Sequence, residues 1–257
     1  MEDMTIGNIL RGFNAAVYEG TYKNNKCILK FYQKDISFRS ELCEYYALKN
    51  LEAVGVVPKI LCKPILVDYY DEITKNHYNI LMVIEYIEGI DLSDMNITPK
   101  DINLVRNICS QIVDGITKII NAGYVHNDLK LDNIRWNGER IYFIDFGCTY
   151  EIIYWDLINN YKFNHIHVRN NDILEAEILR YEKFIKTTSI VCSPPICDIE
   201  DSITHPGSFT LEREYKFLIE KCLIQLLNKS EDTDISLKLE PYFKNGKLPD
   251  NKMFSKT

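Results

Sequence analysis

The sequence predicts an α+β, bilobal protein, with a β-rich first lobe around one main helix and a mostly helical second lobe. Three observations predict it. Strand-like runs and hairpin signals crowd the first 87 residues, a long apolar helical stripe begins just after Thr98, and a short hairpin with further helical patterns follows. A single domain over residues 1–257 is expected, with the first lobe at about 1–87 and the second lobe at about 88–257.

Taken in order, residues 13–22 and 26–32 form two strands joined at Asn24-Asn25, a hairpin signal. Residues 37–51 place Phe38, Leu42, Tyr45, Leu48 and Leu51 at helical spacing. The continuous apolar run at 79–87 reads as a strand buried on both faces. Thr98-Pro99 supplies an N-cap and a proline at the first helical position, and Asp101 falls in the first turn. Leu104, Val105, Ile108, Ile112, Ile116, Ile119 and Ile120 then form one stripe, which Gly123 stops. Strands at 133–136 and 140–145 flank Asn137-Gly138. Further helices are expected at about 171–186 and 210–228, the second capped by Thr210. The lysine-dotted tail after Pro249 reads as a mobile end.

Composition excludes several classes. The 257 residues are 46% hydrophobic and 26% charged, the profile of a folded chain. The net charge of −7, without a basic block, gives no basis for a nucleic-acid or membrane partner. The start MEDMTIGNIL lacks the pattern of a signal peptide, and no run of about 18 apolar residues appears. The eight cysteines contain no Cys-x-x-Cys pair. Cys27, Cys109 and Cys222 lie in apolar runs and read as buried free thiols. An intracellular, reducing location is expected; oligomeric state is not encoded in any of these features.

The informative stretch is GYVHNDLKLDNIRWNGERIYFIDFG, residues 123–147. It presents His126-x-Asp128-x-Lys130-x-x-Asn133, a hairpin, then Asp145-Phe146-Gly147. Transfer of a γ-phosphoryl group needs a carboxylate that orients the attacking hydroxyl, oxygen ligands for Mg²⁺ and a cation near the phosphate. Asp128, the Asn133/Asp145 pair and Lys130 are residues of the right types for those tasks. A chance match of seven specified positions is on the order of one in a billion at average residue frequencies, so coincidence is set aside.

These motifs resemble those of the eukaryotic protein kinase-like superfamily, whose catalytic loop reads H-R-D-x-K-x-x-N and whose metal motif reads D-F-G. The resemblance spans the chain to about residue 147 and is vague beyond it. It implies a protein kinase-like fold binding ATP and Mg²⁺. Asp128 then looks like the catalytic base, Asn133 and Asp145 like metal ligands, and Lys130 like the lysine of Ser/Thr-directed enzymes. Lys30, ending a predicted strand, looks like the lysine that contacts the α/β-phosphates. Its glutamate partner is Glu41 or Glu44, which share a helix face, so the residues alone do not separate them; the spacing of Glu44 to Leu48 and Leu51 resembles the family's, which implies Glu44. Ile84 resembles a gatekeeper, and the backbones of Glu85 and Ile87 resemble an adenine-pairing hinge.

The resemblance has gaps. The glycine-rich pattern G-x-G-x-x-G-x-V falls on Leu10, Gly12, Ala15 and Val17, so one glycine of three remains and weaker nucleotide affinity is expected. Asn127 stands where many relatives carry an arginine that pairs with a phosphorylated loop, which implies activity without that phosphorylation. The A-P-E motif is missing; Thr188 to Ile196, with Ser193-Pro194-Pro195, resembles it loosely. His165-x-His167 reads as a pair of exposed histidines, and Trp136 and Trp155 as packing residues. The implied acceptor is a Ser/Thr hydroxyl of a protein. Two alternatives stand beside it: a small hydroxyl-bearing molecule, as in aminoglycoside- and choline-kinase-like enzymes, and an inactive interaction module.

Overall fold

The computed structural model describes residues 3–11, 15–33, 38–151 and 211–254. Strands β1 (Met4–Arg11), β2 (Ala16–Tyr22), β3 (Asn25–Tyr32), β4 (Ile65–Asp71) and β5 (Asn76–Glu85) form an antiparallel sheet in the order β1-β2-β3-β5-β4. Helix α1 (Phe38–Leu51) follows β3. Two of these strands fall outside the sequence expectation. In β1, Gly7 and Asn8 interrupt the strand signal, and its pairing with β2 shifts register on either side of Ile9. In β4, Leu66 and Tyr70 are apolar yet exposed, which hides the alternation of the half-buried Ile65, Val67 and Tyr69.

The β2–β3 turn is Lys23-Asn24, one residue earlier than the Asn24-Asn25 expected. Both turn residues adopt left-handed φ, 52° and 63°, as a two-residue hairpin turn requires. β3 is buried on both faces because it separates two cores. Leu29 and Phe31 join Ala16, Tyr18, Tyr78, Leu81 and Val83 in a small cluster. Tyr32 instead joins the main core, which runs through α1 and the helical lobe.

After β5 the chain enters β6 (Ile90–Asp91) and reaches Thr98. The N-cap expected at Thr98 forms as part of a capping box: Asp101 accepts the backbone N–H and hydroxyl of Thr98 at 2.8 and 2.7 Å. A single 3₁₀ turn at Pro99–Asp101 leads into α2 (Ile102–Asn121). Val105, Ile108, Cys109, Ile112, Val113, Ile116 and Ile119 of α2 are buried, each contributing about 1.5–3 kcal/mol relative to exposure. Gly115 sits in this face because a Cβ there would lie 2.5 Å from the Phe143 ring. That close approach seats α2 against the hairpin bearing the site.

The rest is short elements: β7 (Tyr124–Val125), β8 (Ile134–Trp136), β9 (Ile141–Phe143) and β10 (Tyr150–Glu151). They form a β6-β8-β9 sheet and a β10-β7 pair. Asn133, expected at the start of a strand, sits in a 3₁₀ turn just before β8. The helix expected at 210–228 is Leu211–Phe217 (α3), then a π-helical stretch Leu218–Ile224, then Gln225–Lys229 (α4). Helices α5 (Thr233–Lys238) and α6 (Glu240–Asn245) follow. The tail expected to be mobile is instead anchored over its described residues, which end at Phe254. Asn251–Phe254 forms a 3₁₀ turn against α2, and Phe254 is 3% exposed in the main core. The expected helix at 171–186, the Thr210 cap, Trp155, His165, His167 and the 188–196 segment lie outside the described residues.

Cys27, Cys109 and Cys222 are free and buried, and burial pushes all three thiols up. No described helix is long and apolar enough to cross a membrane.

Candidate active site

Between the sheet and the helical lobe lies a cavity of about 650 Å³. Leu10, Ala15, Val17, Ile28, Ile84, Glu85 and Ile87 line it on one side; Asp128, Lys130, Asn133, Ile144 and Asp145 line it on the other. Every described residue that the sequence singled out for the site therefore borders one space. Gly12 lies outside the described residues.

Strand periodicity aims Lys30. Ile28, Lys30 and Tyr32 are two apart on β3, so they share a face, and all three border the cavity. The Lys30 ammonium donates to both oxygens of Glu44 at 2.6 and 2.8 Å and to Asp145 Oδ1 at 3.3 Å. Glu44 is thus the paired glutamate; the Glu41 side chain lies outside the described residues. Burial alone would lower the Lys30 pKa, but the carboxylates of Glu44 and Asp145 outweigh it and the net shift is upward. Reciprocally, the Lys30 charge holds the Asp145 carboxyl below its usual value. The pair therefore carries opposite charges at neutral pH.

The second cluster comes from the loop between β7 and β8. Asp128 Oδ2 accepts from the Lys130 ammonium and from Asn133 Nδ2, both at 2.8 Å. Asn133 Nδ2 also donates to the Asp128 carbonyl at 2.9 Å, so the amide oxygen is the Asn133 atom that a cation would take. Asp145 is exposed into the cavity and supplies a carboxylate. One amide oxygen and one carboxylate suit Mg²⁺, which keeps waters and phosphate oxygens for its other positions. The donor set fits that ion.

Buried groups hold this loop. His126 is fully buried; its Nδ1 accepts the Asp128 N–H at 3.3 Å, which makes Nε2 the protonated nitrogen, donating to the Ile144 carbonyl at 3.1 Å. Desolvation lowers its pKa, in keeping with a neutral ring. Asn127 and Asp145 adopt left-handed φ of 62° and 65°, conformations that non-glycine residues hold only where surrounding structure fixes them.

Three contributors escaped the sequence reading. Glu214 on α3 is buried and accepts the backbone N–H groups of His126 and Asn127 at 3.1–3.2 Å. Its signal was available: Glu214, Leu218 and Cys222 share the buried helical stripe, where a carboxylate is out of place. Arg135 donates to the Ile87 and Gly89 carbonyls, both at 2.6 Å, and to Asp91 at 2.9 Å. Tyr32, which the sequence places only at the end of the strand 26–32, donates its hydroxyl to Glu44 at 2.6 Å.

This two-lobed fold, with charged clusters facing across one cleft, has the arrangement of a protein kinase-like domain. The protein kinase domain family matches residues 5–161, more than half of the chain, and the chain belongs to that family. Two curated relatives share shorter stretches. The KEOPS complex subunit Bud32 of Pyrococcus abyssi is 37% identical over 72 residues, 28% of this chain and 32% of the relative. Serine/threonine-protein kinase 1 of Orgyia pseudotsugata multicapsid polyhedrosis virus is 37% identical over 71 residues, 26% of each. The match thus spans about a third or less of either relative.

Proposed function

We propose that this chain is an ATP- and Mg²⁺-dependent enzyme that phosphorylates Ser/Thr hydroxyls of proteins, working as one domain hinged near residues 85–90 inside the cell. The observation that carries the reading is that Lys30, Asp128, Asn133 and Asp145 all border a single cavity. In this reading Asp128 orients the acceptor hydroxyl and takes its proton. Lys130, already paired with Asp128, lies where it can neutralise charge developing on the transferred group. Lys30 positions the α/β-phosphates, and Glu44 keeps its ammonium pointed at them. Asn133 and Asp145 hold Mg²⁺, which when bound neutralises phosphate charge. Ala15, Val17 and Ile28 supply an apolar wall for the base, while Ile84, Glu85 and Ile87 border it along the hinge.

Incubation with γ-labelled ATP, Mg²⁺ and a broad panel of acceptor proteins tests this reading. Label on Ser or Thr supports it. ATP consumed only with small hydroxyl compounds redirects the acceptor, and nucleotide binding without transfer to either class overturns catalysis.

A further inference from the structure

The Lys30–Glu44 pair has a third member. Tyr32 stands two residues after Lys30 on the same face of β3, and its ring is buried in the main core. Its hydroxyl donates to Glu44 Oε2 at 2.6 Å, beside the two bonds from Lys30. A carboxylate only 1% exposed thus takes three hydrogen bonds from two residues of one strand.

The two donors face different demands. The Lys30 ammonium already divides itself between Glu44 and Asp145, and a bound phosphate would draw on it again. The Tyr32 hydroxyl is neutral and bonded to the same glutamate from within the core. It can retain Glu44 while Lys30 turns toward a ligand. Glu44 rides on α1, whose Tyr45, Ala47, Leu48 and Leu51 are buried, so holding the carboxylate holds the face of the helix.

We propose that Tyr32 is a positioning residue: its hydroxyl keeps Glu44, and with it α1, in the assembled arrangement independently of Lys30. The consequence is regulatory. The site stays built without a phosphorylated segment or partner protein pressing on α1. This rests on the phosphotransfer reading above and deepens it.

Tyr32→Phe removes the hydroxyl and keeps the buried ring, so the fold is retained. In the full chain it is expected to lower kcat about 10-fold while changing nucleotide Kd less than about twofold. In a Glu44→Ala background, which removes the accepting oxygen, the same substitution should add less than about twofold, because the hydroxyl acts through that carboxylate. Amide exchange across residues 44–51 should accelerate in Tyr32→Phe. Full turnover with unchanged exchange overturns the proposal, as does an equal loss in both backgrounds. If the wild-type chain transfers no phosphate to any acceptor, the phosphotransfer reading fails alone; exchange across α1 still decides the role of Tyr32.

Discussion

Glu214 grips the backbone N–H of Asn127 with both carboxylate oxygens, each at 3.2 Å, although 87 residues separate them. The grip falls on a residue whose left-handed backbone costs on the order of 1–3 kcal/mol. Replacing Glu214 with Ala would leave the N–H groups of buried His126 and half-buried Asn127 without this acceptor. Stability should fall by on the order of 3 kcal/mol, read by chemical denaturation. A loss below about 1 kcal/mol would show that the loop holds itself.

Asp128→Asn retains the shape of the side chain but removes the basic carboxylate. Turnover should drop by about 10²–10⁴, with nucleotide affinity largely intact. Single-turnover kinetics with a phosphorylatable acceptor, alongside calorimetric titration of nucleotide, separates the two effects. An unchanged rate rejects Asp128 as the base.

How much of this site could be read from sequence depended on distance along the chain. Asp128, Lys130, Asn133 and Asp145 fall within 18 residues, where a loop and hairpin fix their spacing, so the pattern survives as a motif. Lys30 and Glu44 were reachable from one strand and one helical period. Glu214 was harder to reach, because its partners are backbone N–H groups, which leave no trace in residue type; only a carboxylate in an apolar helical stripe marked it. The π-helical stretch Leu218–Ile224 keeps an apolar pattern that also suits an α-helix, so periodicity alone does not distinguish them. The bulged β1 and two-sided β4 gave no clean alternation, although the sheet they complete carries Lys30.

His126 links acidity to stability. Burial depresses its pKa in the folded chain, so with falling pH the unfolded state takes the proton first. The stabilising contribution is complete above about pH 6.5, the unfolded value, and is lost as pH falls toward the folded one. Denaturation midpoints measured from pH 8 to pH 5 should decline more steeply for the wild type than for His126→Gln. Parallel curves would refute the assignment.

Phe254 anchors the tail in the main core beside α2. Phe254→Ala should cost about 3–5 kcal/mol, visible as a lowered melting temperature. A change under about 1 kcal/mol would mean that the terminal turn contributes nothing to the core.

The hold of Arg135 on Ile87 and Gly89 determines where the cleft can pivot. Gly89, at φ 116°, has the Trp136 carbonyl oxygen only 2.0 Å from where a Cβ would stand, so no other residue fits between the connector and β8. Residues 87–91 are tied to β8 and, under the proposed hinge, would travel with the helical half. Any breathing of the cleft is then absorbed upstream, around Glu85 and Tyr86, where Lys26 from the sheet rests 3.6 Å over the Tyr86 ring. In the proposed enzyme the fulcrum would be a two-residue joint resting on one aromatic face, and a bulkier group there would change how fast nucleotide enters and leaves.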